Sequence, residues 1–237
     1  MKALIKSCVV YLVLLYSLAY MISAESANNS IYLTQSGGAT ALTLNIDQIG
    51  NSNVFGTSAA RVSLTGTTMT VDVDQIGDSN VIAATVAQGN STSFTLRSTG
   101  DSNSQTLALG ASGDVQSTDF DFAATGSSNV LSYVQGAAST ATSGNTDIVV
   151  TGASNDLNIV SEVVSGTINI EIDGSGNDLD STMTGNASGH LALDLTGSTN
   201  NIDIDQTHAT GSTSGIVDII AVTTGGVIDI DQCISGC

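Results

Sequence analysis

The side chains able to do chemistry in this 237-residue chain are 22 aspartates and glutamates, two histidines and three cysteines, against only four lysines and arginines. Carboxylate pairs can hydrolyse glycosides, and clustered carboxylates can hold calcium, which takes several oxygens in flexible geometry. Asp203, Asp205, Asp229 and Asp231 are the calcium candidates. The wider inventory argues against catalysis. His190 and His208 are the only histidines, and no H-E-x-x-H, G-x-S-x-G or phosphate-binding glycine loop occurs. The aromatic sugar platforms and long insertions usual in β-helical glycosidases are missing too. Neither an enzyme nor a cofactor is expected. With no G-G-x-G-x-D repeat present, the competing reading of the aspartates is a solvated acidic face that keeps the chain soluble.

Cys233 and Cys237 bracket the segment C-I-S-G-C. In an exported protein, thiols this close are expected to form a disulfide. Its small loop adds little chain-entropy stabilisation, so its role would be to keep a terminal strand from fraying. Two thiolates alone do not complete a zinc site.

Export is itself an expectation. Residues 1–24 combine the basic Lys2 and Lys6, an apolar run from Cys8 to Met21 and the small-residue ending Ile22-Ser23-Ala24. This is the pattern of a cleavable signal segment, with a retained anchor as the alternative. Its removal would leave Arg61 and Arg97 as the only lysines or arginines, in a chain of residues 25–237 with no membrane segment. Nucleic-acid binding is excluded on that basis, because phosphate recognition rests on clustered Lys and Arg.

The elements that must carry these groups are read from a repeat. Asn53, Asn80, Asn103, Asn129, Asn155, Asn177 and Asn200 recur every 22 to 27 residues, each three residues after a glycine. A fixed period of this size signals a solenoid or an array. Within one copy, Met69, Val71 and Val73 alternate with Thr70, Asp72 and Asp74, and after Asn80 the residues Ile82, Ala84 and Val86 alternate with Ala83 and Thr85. Alternation places the first set inward and the second outward on two short strands. The chain contains no proline, which suits unbroken sheet ladders.

A strand pair this small cannot bury its apolar face alone, so the copies are expected to stack in register. The expected fold is all-β: a β-solenoid with two short strands per rung and about eight rungs, roughly 40 Å long at the usual strand spacing. Phe94 and Phe120 fall in one inward column. The Asn column has two compatible readings, as a turn residue tolerant of left-handed backbone and as an inward ladder of amide hydrogen bonds.

Aligned on Asn, Gln48-Ile49-Gly50-Asn51-Ser52-Asn53 and Gln75-Ile76-Gly77-Asp78-Ser79-Asn80 both read Q-x-G-x-x-N. A second Gln follows Asn by six residues at Gln35, Gln135 and Gln206, and at Gln232 if Gly226 replaces an eighth Asn. The pattern resembles the curlin repeat. The resemblance implies an exported subunit of functional amyloid fibres of the curli type, mediating adhesion and biofilm cohesion. It implies self-association into fibres, with other curli-type subunits or a nucleator as further partners, and a secreted, cell-surface location. Carried over, Gln48, Asn53, Gln75, Asn80, Gln135 and Gln206 are ladder and polymerisation candidates, and Asn103, Asn129, Asn155, Asn177 and Asn200 extend the ladder. Later copies depart from the pattern, with Ser98, Ala124, Val150, Ile172, Leu195 and Ala221 at the first Gln position. The alternative is a monomeric solenoid that binds polysaccharide or ice, for which Thr65 with Thr67 and Thr140 with Thr142 are the T-x-T pairs.

Overall fold

Alternating apolar and polar residues form strands throughout the computed structural model. It describes residues 2–5, 9–14, 18–25, 30–35, 41–50, 52–56, 62–77, 79–88, 91–100, 102–109, 117–136, 143–162, 165–186, 188–208 and 215–234, with no helix among them. In chain order the strands are β1 (Lys2–Ile5), β2 (Val9–Leu14), β3 (Leu18–Glu25), β4 (Ser30–Gln35), β5 (Leu42–Ile49) and β6 (Val62–Thr65). They continue with β7 (Thr68–Ile76), β8 (Val81–Gln88), β9 (Ser91–Thr99), β10 (Ser104–Leu109), β11 (Ser117–Thr125) and β12 (Val130–Gln135). The last six are β13 (Ser143–Thr151), β14 (Asp156–Glu162), β15 (Ser165–Asp173), β16 (Asp178–Asn186), β17 (Ser188–His208) and β18 (Ile216–Ile234).

Each strand pairs with the strand two places along the chain, always in parallel, so odd-numbered and even-numbered strands build two separate columns. The long strands β17 and β18 run through their turns and contribute to both columns. This is a parallel β-solenoid of about six turns. The complete, regular turns are β7/β8, β9/β10, β11/β12, β13/β14, β15/β16 and β17, which corrects the expectation of about eight equal rungs. The copies at either end share the columns but are irregular. On one side the described residues after Asn53 make an isolated bridge from Val54 to Val81, and the short β6 follows. On the other, β18 is the last rung among the described residues, and most of its residues are exposed. The stretch read as an export leader takes up strand positions in the full chain, with Leu18 opposite Leu42 and Ile22 opposite Ile46.

Parity is as expected in the regular turns. Met69, Val71, Val73, Phe94, Leu96, Ile148, Val150, Leu191 and Leu193 are all buried. Ala83 is the exception. Expected outward, it is buried, and Gly56 lies close to it: a Cβ there would stand 2.7 Å from the Ala83 carbonyl oxygen.

Phe94 and Phe120 share a column, and the Phe120 ring also stacks across the thin core on Tyr133 of β12, with centroids 4.4 Å apart and planes 13° from parallel. The Tyr133 hydroxyl meets Thr146 Oγ1 at 3.3 Å. Burial pushes the Tyr133 phenol well above its usual range, with the Thr146 hydrogen bond acting in the opposite sense. The pair is therefore neutral at any physiological pH and works as packing.

Truncating Phe120 to Ala is expected to cost about 3–5 kcal/mol, because the rigid rungs above and below cannot close the cavity. The exposed Ile76→Ser control is expected to stay within about 0.5 kcal/mol. Denaturant unfolding followed by circular dichroism checks both.

Candidate functional site

The Asn column is the most developed polar site in the chain. Each of its seven members is buried. Asn129 shows the arrangement: its Oδ1 accepts from Asn103 Nδ2 at 2.8 Å and from the Asn103 backbone N–H at 3.3 Å. Its Nδ2 donates to Asn155 Oδ1 at 3.0 Å and to the Gly126 carbonyl at 2.9 Å. Both amide protons and both acceptor directions are used. The same pattern carries on through Asn155 to Asn177 at 2.9 Å and Asn177 to Asn200 at 3.2 Å. The ladder reading of Asn holds, and its second amide proton ties the turn, but the left-handed backbone expected of Asn falls one residue earlier, at Ser102, Ser128, Ser154, Gly176 and Thr199.

The glycine three residues earlier is explained by the same contacts. Its carbonyl receives the second amide proton, as Gly152 does from Asn155 at 2.9 Å. Its φ lies at 138° in Gly152 and 153° in Gly77, where side chains are disfavoured. A Cβ on Gly77 would fall on the Gly50 carbonyl oxygen, and one on Gly152 on that of Gly126. The turns are hydrogen-bonded rung to rung as well, for example Gly126 N to Thr151 O at 3.0 Å.

The glutamines are brought together less completely. Gln75 Nε2 donates to Gln48 Oε1 at 2.6 Å, and Gln48 Nε2 to the Val54 carbonyl at 3.0 Å. The column then continues as Ser98, Ala124, Val150, Ile172, Leu195 and Ala221, in the register expected. At the break, Asn80 Nδ2 turns to Ser98 Oγ at 3.3 Å, and Asn103 Oδ1 is reached only by the Asn80 backbone N–H at 3.2 Å. Gln135 and Gln206 share a column but do not meet, because Ser161 and Met183 lie between them. Gln206 instead accepts from Gln232 Nε2 at 2.6 Å. Gly226 does stand over Asn200. Gln35 lies on β4, while Asn29 falls outside the described residues.

Two features escaped the sequence reading. Gln105 is fully buried in a column otherwise aliphatic, beside Ile82 and Leu131, and neither end of its amide has a partner. Its inward parity was the available signal. The dipeptides Ser143-Gly144, Ser165-Gly166 and Ser188-Gly189 also stand in register at the start of three successive rungs. They make room for the second Gln: a Cβ on Gly144 would land on Gln135 Nε2, and Gln206 Nε2 donates to the Gly189 carbonyl at 3.4 Å.

Outside, Asp180, Asp203 and Asp229 form one column and Asp205 and Asp231 another, as expected. Among the described residues no group of three or more His, Cys, Asp or Glu is placed to hold a metal, so the four calcium candidates do not converge. Asp72, Asp121 and Asp147 share a column with Thr95 between the first two. Arg97 bridges Asp72 at 2.9 Å and Asp74 at 2.8 Å. Asn145 donates to Asp119 at 3.3 Å and to Asp147 at 3.0 Å, and Asn169 donates to Asp147 at 2.6 Å. Partial burial first, then Asp119 and Asp147, raise the Asp121 carboxyl above its usual range, with Arg97 pulling the other way. Cys233 is disulfide-bonded; Cys237 lies outside the described residues, as do Arg61, Thr140 and Thr142. No family model, curated protein or solved structure matches this chain.

Replacing Asn129 by Asp would set a buried carboxylate against the Gly126 and Asn155 oxygens, at an expected cost of about 3 kcal/mol at neutral pH. Burial raises that carboxyl's folded-state pKa, so the variant is most stable below the ordinary carboxyl range and loses stability as pH rises. Thermal melts at acidic and neutral pH test the sign. The same argument applies to Asp121 itself. Asp121→Asn should melt higher than the parent at neutral pH and match it in acid, where the parent carboxyl is protonated.

Proposed function

We propose that this chain is an exported structural subunit of curli-like extracellular fibres, built by self-association and serving adhesion and biofilm cohesion. The observation that carries the reading is the Gln232–Gln206 hydrogen bond, 2.6 Å long, on the open last rung. It brings a stacked amide pair to the edge of the stack. Among the described residues Gln232 Oε1 accepts no hydrogen bond, so it can take one from a glutamine on an added rung. Among the described residues β18 pairs only with β17, and a strand edge without a partner strand is a template for another chain. Stacked amides of this kind stabilise cross-β assemblies. In this reading residues 1–24 are removed on export, the fibre lies at the cell surface, and the partners are further copies together with other curli-type subunits or a nucleator. The acidic outer columns regulate assembly, because lateral contact between like-charged surfaces is opposed until protons or salt reduce the repulsion.

Electron microscopy of the purified chain lacking residues 1–24, with and without reductant and at acidic and neutral pH, is the test. Fibres with a cross-β repeat that grow faster in acid are expected, with Gln232→Leu slowing growth. Faster growth after reduction would identify the Cys233 disulfide as a cap on the last rung. Persistent monomers under every condition would defeat the fibre reading in favour of a monomeric binder of polysaccharide or ice.

A further inference from the structure

The outer face of the odd-strand column changes character at its C-terminal end. On β17 the outward positions are His190, Ala192, Asp194 and Thr196; on β18 the residues in register with them are Ile216, Asp218, Ile220 and Val222. Ile216, Ile220 and Val222 are 54%, 61% and 68% exposed. Terminal rungs of solenoids ordinarily carry a polar outer face, and exposed apolar groups brought together mark interaction surfaces.

This apolar edge continues into a hollow of about 330 Å³ spanning four rungs. The small Ala192 lies between Asn169 and Asp218 in one column, and in the neighbouring one Val149 and Ile220 flank Glu171 and Asp194. The rim is acidic, formed by Asp147, Glu171, Asp194 and Asp218. Glu171 and Asp194 are direct cross-strand neighbours, so their charges repel. The one described arginine, Arg97, is held by Asp72 and Asp74.

We propose that this groove docks a basic, apolar segment of a different protein, in which aliphatic side chains cover Ala192 and Ile220 while Lys or Arg heads meet Glu171, Asp194 and Asp218. Lys and Arg suit the site because their methylene stems lie on apolar surface while the charge reaches the rim. Charge decides the occupant. A second copy would bring 22 acidic residues and only four basic ones, setting acid against acid. A basic partner removes the like-charge repulsion that the rim carries alone. The site is on the outer side of the sheet rather than on its open edge, so it stands apart from fibre growth and is read on the monomer.

The test uses gel-filtered monomer of the full chain and end-blocked fluorescent peptides alternating Lys with Leu, Lys with Ser, or Glu with Leu, followed by anisotropy. The Lys-Leu peptide is expected to bind best. Ala192→Leu fills the groove without changing charge and is expected to weaken binding about tenfold, as loss of a packed contact at the centre of an interface does. Glu171→Gln with Asp194→Asn should do the same, while Asp203→Asn with Asp205→Asn removes equal charge elsewhere and should change affinity less than about twofold. Ile220→Ser, at an exposed position, gives the same reading if Ala192→Leu disturbs the fold by circular dichroism. Equal binding of Lys-Ser and Lys-Leu peptides, equal loss in the two charge-removal variants, or no binding at all would overturn the proposal. So would concentration-dependent dimerisation of the parent that Ile220→Ser abolishes, since the occupant would then be a second copy.

Discussion

Everything in this molecule follows from parallel, in-register stacking, which gives each side chain its own counterpart as its neighbour above and below. A residue type persists in a column only if it tolerates itself at the strand spacing of about 4.8 Å. Aliphatic side chains do, and they fill the core. Asparagine does so because its amide donates and accepts in equal number, so one rung's oxygen answers the next rung's nitrogen, as from Asn103 to Asn129 to Asn155. Glycine persists for a different reason: the neighbouring rung's carbonyl already occupies the place of its Cβ, as Gly50 does beside Gly77.

Aspartate meets the same criterion least well: Asp180, Asp203 and Asp229 stack directly at a cost in repulsion, and elsewhere on the exterior donors reduce it. Arg97 reaches two carboxylates on the previous rung. Asparagines do the rest: Asn145 spans Asp119 and Asp147, Asn169 reaches Asp147, and Asn201 reaches Asp178 at 2.9 Å. Donors interleaved with acceptors turn part of a charge column into a hydrogen-bonded one. Asp121, with Asp119 and Asp147 nearby and Thr95 on its other side, is left with the raised carboxyl pKa.

The parity of the strands, the column shared by Phe94 and Phe120 and the Asn ladder were legible because alternation shows within one copy and the period shows across the copies. The register of the lost Gln column was legible too, through alignment on Asn. Less legible was anything set by contacts between the two strand columns. Gln105 looks like an ordinary strand residue until its place among Ile82 and Leu131 is known. The Ser-Gly pairs look like turn residues until Gln135 is seen to occupy the space above Gly144. The described residues after Asn53 form a bridge and the short β6, and the approach of Gly56 to Ala83 cannot be read from parity.

The ladders also make the two ends of the stack chemically different. In the Asn ladder the side-chain amides donate to the next rung along the chain, as from Asn155 to Asn177, except at Asn80, which turns to Ser98. The Gln contacts run the other way, from Gln75 back to Gln48 and from Gln232 back to Gln206. At the last rung Gly226 takes the Asn place over Asn200, so the Asn ladder stops one rung before the edge while the Gln contact reaches it. Asn200 Nδ2, with no asparagine above it, donates instead to the Gly174 carbonyl at 3.3 Å. The buried ladder is thereby closed within the chain. The polar recognition left at the C-terminal edge rests on one glutamine and the strand backbone, in a rung whose outer side is apolar at Ile216, Ile220 and Val222 and acidic at Asp218, Asp229 and Asp231.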